Sequence, residues 1–187
     1  MSASHEPLFR LIAGLGNPGR EYDATRHNAG FMILDRLAQR AGISFRPEPK
    51  WDAEVAISGG VIFCKPQSYM NVSGEPVSAV ARFHKVPPEQ VLAIFDDVAL
   101  PLGSIRIRAS GSSGGHNGME SILQHVGDIP RLRIGIGAAD GRPMIQHVLG
   151  KFLPEERPIL VQSIDRAVEA VDCLQREGIA PAMNRFN

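Results

Sequence analysis

Residues Leu8–Ala41 read LFRLIAGLGNPGREYDATRHNAGFMILDRLAQRA, and this stretch decides the fold class. Leu8 to Ala13 is a short apolar run that stops at Gly14, the pattern of a buried strand feeding a tight turn. Gly14 to Arg26 is polar and punctuated by Gly and Pro, which marks a loop. Apolar residues return at Phe31, Leu34, Leu37, Ala38 and Ala41 with helical spacing, so a helix is expected over Asn28–Ala41, stopped by Gly42. The loop holds Gly14-Leu15-Gly16-Asn17-Pro18-Gly19, which fits GxGxxG after a strand. A dinucleotide site needs a helix opening at that loop and an acidic residue ending the next strand. Here the helical pattern begins only at Asn28, and Asp35 sits inside the helix, so that reading is disfavoured. Two readings stay open: a structural turn, or a loop that aims Asn17, able both to donate and to accept, into a site.

The same alternation continues outward. Ala53–Ile57 and Val61–Cys64 read as strands, the second broken by Lys65-Pro66-Gln67. Ser73–His84 reads as a helix, with Ser73 as N-cap and Pro76 in its first turn. Val91–Phe95 (VLAIF) is a continuous apolar run suited to a central strand, and it ends in Asp96-Asp97. SIRIRA (104–109) and RLRIGI (131–136) alternate, each with arginines on one face, as strands with an exposed face do. A helix is expected from Asn117 to Val126, and a long amphipathic one from Glu155 to Glu177. Interleaved strands and helices predict an α/β fold: a single-domain, three-layer α/β/α arrangement over residues 1–187 with a mixed, mostly parallel central sheet.

Composition narrows the function classes. With 187 residues, 43% hydrophobic and 21% charged, wholesale disorder is excluded. The 20 Lys+Arg balance 20 Asp+Glu, which by itself argues against a nucleic-acid binder. The balance is uneven along the chain, however. Cations exceed acids in residues 1–50 and 101–150, and acids exceed cations elsewhere, so a local basic patch fits a neutral whole. Cys64 and Cys173 form no CxxC pair and lie in apolar surroundings, so buried thiols in a reducing compartment are expected. The first residues, MSASHEP, have neither a basic nor an apolar signal region, and no apolar run approaches a membrane span. A cytoplasmic protein is expected. Nothing in the sequence demands an oligomer, and a monomer is expected.

Polar residues stand at five places where the apolar pattern stops: Asn17, His27-Asn28, Met70-Asn71, Asp96-Asp97 and His116-Asn117. Ligands in α/β folds gather at strand C-termini and neighbouring helix N-termini, so these breaks suggest one polar cleft. Plainer readings exist for each. Asn28 and Asn117 also fit helix caps, Asp96 also fits an ion pair, and Met70 also fits a core. His5, His84, His125 and His147 stand at no such junction and are expected to be structural or solvated.

GLGNPGREYDATRHNAGF (14–31), KPQSYMNVSG (65–74), FDDVALPLG (95–103), GSSGGHNG (111–118) and RLRIGIG (131–137) follow in this order. With these spacings they resemble the bacterial-type peptidyl-tRNA hydrolase family, over about Leu11 to Gly150. The resemblance implies hydrolysis of the ester joining a peptide to the terminal ribose of tRNA. It implies His27 as general base, which agrees with the chemistry: histidine is the natural group to activate water near neutral pH. Asp96 would orient the imidazole, as the third member of a Ser-His-Asp triad does, and water would attack directly. Asn71 matches the asparagine that contacts substrate near the ester, where its amide can stabilise an oxyanion. Asn17 matches the position that separates N-blocked from free aminoacyl-tRNA. Tyr22, Tyr69, Met70, His116 and Asn117 fall on positions around the tRNA terminus and peptide. No cofactor is implied, and no metal, although His27, Asp96 and His116 are a possible metal triad. The sequence departs from the family at Ala99, where an acid is common, and Asp97 rivals Asp96 for the orienting role. A non-catalytic RNA-binding relative is the alternative, and the presence of His27, Asn71 and Asp96 favours the enzyme.

Arg106 and Arg108 share one face of a strand, as do Arg131 and Arg133. Were the strands adjacent, four guanidiniums would converge. Arg108 and Arg133 match family positions that grip a tRNA phosphate, a role suited to bidentate guanidinium contacts. Solvated strand faces are the competing reading.

Overall fold

The structure, a computed structural model, describes residues 6–187. Residues 1–5, which include His5 and the start of the stretch searched for a signal, lie outside the described residues. The strands are β1 (Leu11–Gly14), β2 (Arg46–Glu48), β3 (Ala53–Ser58), β4 (Val61–Pro66), β5 (Val91–Asp97), β6 (Ile105–Arg108) and β7 (Arg131–Gly135). The helices are α1 (Ala29–Ala41), α2 (Gly74–Phe83), α3 (Asn117–His125), α4 (Met144–Val148), α5 (Arg157–Glu177) and α6 (Ile179–Phe186).

All seven strands form one sheet in the order β2-β3-β4-β1-β5-β7-β6. β1 pairs in parallel with β4 and β5, and β5 with β7. The antiparallel pairings lie at the two edges: β2–β3 and β3–β4 on one side, β6–β7 on the other. The continuous apolar runs of β1 and β5 are buried on both faces, which is what a central parallel strand requires.

Two cores sandwich the sheet, completing the three-layer α/β/α arrangement. One joins Ile12, Leu92, Ile94, Leu132 and Ile134 to residues of α1, α5 and α6. The other joins Leu11, Ala13, Ile62, Ala93 and Phe95 to α2 and α3. No residue of β6 or β7 belongs to this second core. Two short helices cover the centre of that face and leave its β7–β6 end to arginines.

One close approach sets the position of α1. A Cβ on Gly30 would lie 2.5 Å from the Ile94 carbonyl oxygen and 2.6 Å from the Leu15 nitrogen. A Cβ on Gly14 would lie 2.5 Å from the Gly30 oxygen. Glycine at both positions brings the start of α1 onto the backbone at the ends of β1 and β5. That contact puts the residues just before α1 beside Asp96.

Ser73 and the short elements β2, α4 and α6 depart from the sequence reading. Ser73 does not cap α2: its own backbone is helical, and its hydroxyl donates to the Met70 carbonyl at 2.7 Å. A single 3-10 turn, Met70–Val72, precedes α2 and takes that hydroxyl. The short elements β2, α4 and α6 have too few residues to show a periodic pattern. Both cysteines are fully buried, and burial pushes the Cys64 thiol up to about 12. Among the described residues no helix is long and apolar enough to cross a membrane.

Candidate active site

His27 lies in a 3-10 turn, Arg26–Asn28, that joins the glycine-rich loop to α1. The backbone before it is pinned from outside. The Arg26 N–H donates to the Gly150 carbonyl at 2.9 Å, and Thr25 bridges Lys151. The Arg26 guanidinium is buried against the Phe152 ring and pairs with Glu156 at 2.9 Å. The His27 side chain therefore leaves a fixed backbone.

Asp96 ends β5 and is 2% exposed. Its carboxylate meets two imidazoles. His27 Nδ1 is 2.9 Å from Oδ2 and 3.0 Å from Oδ1, and His116 Nε2 is 2.9 Å from Oδ1. His116 is also the N-cap of α3, where its Nδ1 accepts from the Met119 N–H at 3.1 Å. That bond assigns the His116 proton to Nε2, which donates to Asp96. His27 Nδ1–H donates to the same carboxylate, which leaves His27 Nε2 with a free lone pair. Burial opposes the ionisation of Asp96, but the electrostatic attraction and hydrogen bonds of the His116 and His27 imidazoles hold its carboxyl well below the usual carboxylate range.

Asp97 has other partners. Its Oδ1 accepts from the Ala99 N–H at 2.8 Å, and its Oδ2 takes Arg133 Nη1 at 2.7 Å. Asp96, and not its neighbour, contacts His27.

Asn17 is buried in the adjoining loop. Its backbone N–H donates to Asn28 Oδ1 at 2.8 Å, and its carbonyl accepts from Asn28 Nδ2 at 3.0 Å. Its side-chain Oδ1 accepts from the Met70 N–H at 2.8 Å, which assigns its NH₂ to the open side. Asn28 forms no side-chain cap on α1; it clamps the Asn17 loop instead. The cap reading of the sequence missed that role.

His27, Asp96, Asn71, Asn17, Tyr22, Tyr69, Met70, His116 and Asn117 all line one cleft of about 690 Å³. Met70 is buried in the floor, Tyr69 is exposed at the rim, and Asn71 and Asn117 are open to the cavity. Ligand atoms of His27, Asp96 and His116 lie within 4.8 Å of one another, close enough to hold a metal, though both nitrogens nearest the carboxylate bond it directly.

Residues 11–187 match the family model described as peptidyl-tRNA hydrolase. The chain belongs to the peptidyl-tRNA hydrolase family. It is 50% identical over 181 residues to the peptidyl-tRNA hydrolase of Akkermansia muciniphila, covering 95% of each chain. It is 49% identical over 189 residues to that of a Synechococcus strain, covering 97% of this chain and 84% of the relative. The crystal structure of the Acinetobacter baumannii peptidyl-tRNA hydrolase superposes with a TM-score of 0.89 at 37% identity, over 98% of both chains.

Two parts of this peptidyl-tRNA hydrolase-family site differ from the sequence reading. The sequence missed one wall of the cleft, made by Met144, Ile145, Val148 and Leu149 of α4 and the residue after it. Met144 and Ile145 are more than half exposed, and the only signal for them was an apolar pair following Pro143. The arginines lie outside the cleft. β6 and β7 are adjacent, with Arg106 opposite Arg133 and Arg108 opposite Arg131, so all four share a face. Arg131, however, is 2% exposed, and its guanidinium donates to the carbonyls of Gly111, Ser112 and Ile129 and pairs with Asp128. Loop residues fold over it, so of the four guanidiniums expected to converge only those of Arg106, Arg108 and Arg133, which are half-buried, reach this surface.

Proposed function

We propose that the protein hydrolyses the ester between a peptide, or an N-blocked amino acid, and the 3′-terminal ribose of tRNA, in the cytoplasm and as a monomer. The observation that carries the reading is His27: Asp96 fixes its Nδ1–H, and its free Nε2 belongs to a cleft shared with Asn71 and Asn17. In the proposed step Nε2 takes a proton from water as the oxygen attacks the ester carbonyl. Asp96 stabilises the imidazolium that forms, without itself taking the proton. The Asn71 amide donates to the developing oxyanion, a type of contact worth about 3 kcal/mol where it has been measured in other enzymes. Collapse of the tetrahedral species breaks the bond to the ribose oxygen. The imidazolium returns its proton to that oxygen, and peptide and tRNA leave with no covalent intermediate.

The hydrogen bonds of Asn17 support its proposed selectivity. Its oxygen is occupied by Met70 N–H, so it offers donors to the substrate. Donors suit the carbonyl of a peptide group and oppose an α-ammonium, which has only donors of its own. His116 and Asp96 set the imidazole geometry, while Tyr22, Tyr69, Met70 and Asn117 shape the space for the terminal nucleotide and peptide. The tyrosines offer stacking faces. Arg108 and Arg133 are proposed to hold a tRNA phosphate beyond the cleft. No observation favours the non-catalytic alternative, because base, orienting acid and amide stand together. The test is hydrolysis of N-blocked aminoacyl-tRNA beside free aminoacyl-tRNA. Release from the blocked substrate in strong preference is expected, and no release from either overturns the reading.

A further inference from the structure

We infer that Asp97 tempers the tRNA clamp: in the free protein its carboxylate occupies Arg133, and a bound tRNA phosphate must share that guanidinium with it. The inference rests on the reading of Arg133 as a phosphate ligand.

The geometry sets Asp97 apart. One oxygen is used by the Ala99 N–H at 2.8 Å, which fixes the carboxylate at the turn after β5. The other lies 2.7 Å from Arg133 Nη1. Asp97 lines the cleft and Arg133 does not, so this pair links the two regions. Arg133 Nε is buried without a partner, which leaves Asp97 as the only hydrogen-bond partner of the guanidinium among the described residues. The other arginines on this face differ. Arg131 is consumed by Asp128 and three carbonyls, and Arg108 meets only the Ile107 carbonyl, with no carboxylate. Arg133 alone is half-buried and also neutralised.

A carboxylate and a phosphate are attracted by the same N–H groups. With Nη1 on Asp97, the guanidinium still has further N–H groups for a phosphate. The carboxylate then stands close to a second anion, and the repulsion lowers affinity. That loss does not slow the chemistry. The tRNA phosphates are the same in substrate, transition state and product, so gripping them is uniform binding that does not raise kcat. A tighter grip would hold the product. Asp97 thus sets how firmly tRNA is held and how readily it leaves.

Asp97→Asn tests this. Ala99 N–H and Arg133 use different carboxylate oxygens, and the amide keeps only one of them. With the oxygen on Ala99, the NH₂ opposes the guanidinium and releases it. The variant should bind deacylated tRNA about five- to tenfold more tightly, with KM falling in parallel and kcat not rising. The slope of log Kd against log salt should steepen by about one. Arg133→Ala should weaken binding and flatten that slope, and in its background Asp97→Asn should have no effect. If Arg133→Ala changes nothing, the clamp reading fails. If Arg133→Ala weakens binding while Asp97→Asn leaves it unchanged or weaker, the clamp stands and the tempering role fails. Equal tightening with and without Arg133 also overturns that role. Asp97→Ser, whose hydroxyl still accepts from Ala99 N–H, repeats the measurement should the first variant fold poorly.

Discussion

Asp96 and Asp97 are neighbours at the end of β5, and each holds a basic side chain, but they hold them differently. Asp96 is almost fully buried and accepts from two imidazoles, of which His116 is held again by the Met119 N–H and His27 keeps its second nitrogen free. Asp97 holds a half-buried arginine at the β7–β6 end of a sheet face, where no residue of the second core lies. The first arrangement is preorganised: each bond is made before substrate arrives, so nothing is reordered at the moment of reaction. The second is a partly exposed ion pair, which salt can screen and which the proposed clamp would share with a phosphate. On the proposed function, one strand end thus separates the chemistry from the grip on tRNA.

Three measurements can break or sharpen that separation. The largest effect is expected from Asp96→Asn. The amide carries no charge to stabilise the imidazolium and puts an NH₂ where the carboxylate had its second acceptor oxygen, so kcat should fall by about 10²- to 10⁴-fold with little change in tRNA affinity. The acid limb of the wild-type pH–rate profile should not come from Asp96, whose carboxyl is held well below the usual range. An equal loss in tRNA affinity would join the two regions again. Asn28→Ala comes next. It leaves the Asn17 N–H and carbonyl without their partners in a buried loop, at a cost of about 1–3 kcal/mol in unfolding free energy. Discrimination between blocked and free aminoacyl-tRNA should fall with it, and unchanged discrimination would remove Asn28 as the support of that loop. The smallest effect is salt on the wild type. Raising salt from about 0.05 to 0.2 M should raise KM about tenfold and leave kcat nearly level, as expected for about two phosphate contacts. A matching fall in kcat would place the exchangeable charges in the chemistry.

Much of this was legible from residues 8–41 and 91–97, because long apolar runs and helical spacing report burial directly. The five polar breaks meet in one cleft for a topological reason: they follow parallel strands or precede helices, and the sheet brings those ends together. What the sequence hid depends on contacts between distant segments. Asp96 and Asp97 are the same residue type at one strand end, and only His27, His116 and Arg133 distinguish them. Arg131 alternates like a solvated residue, yet residues 111–112 and 128–129 fold over it. Asn28 stands where a cap would stand, yet its amide turns to Asn17. His116 carries two bonds, one to α3 and one to β5, and neither is written in GSSGGHNG.

The most direct test is turnover of N-blocked aminoacyl-tRNA by His27→Ala, with tRNA affinity and its salt slope measured on the same preparation. Turnover should drop by about 10²- to 10⁴-fold while affinity and slope stay at wild-type values. Turnover close to wild type, or a loss of affinity as large as the loss of rate, would contradict a base held apart from the tRNA grip.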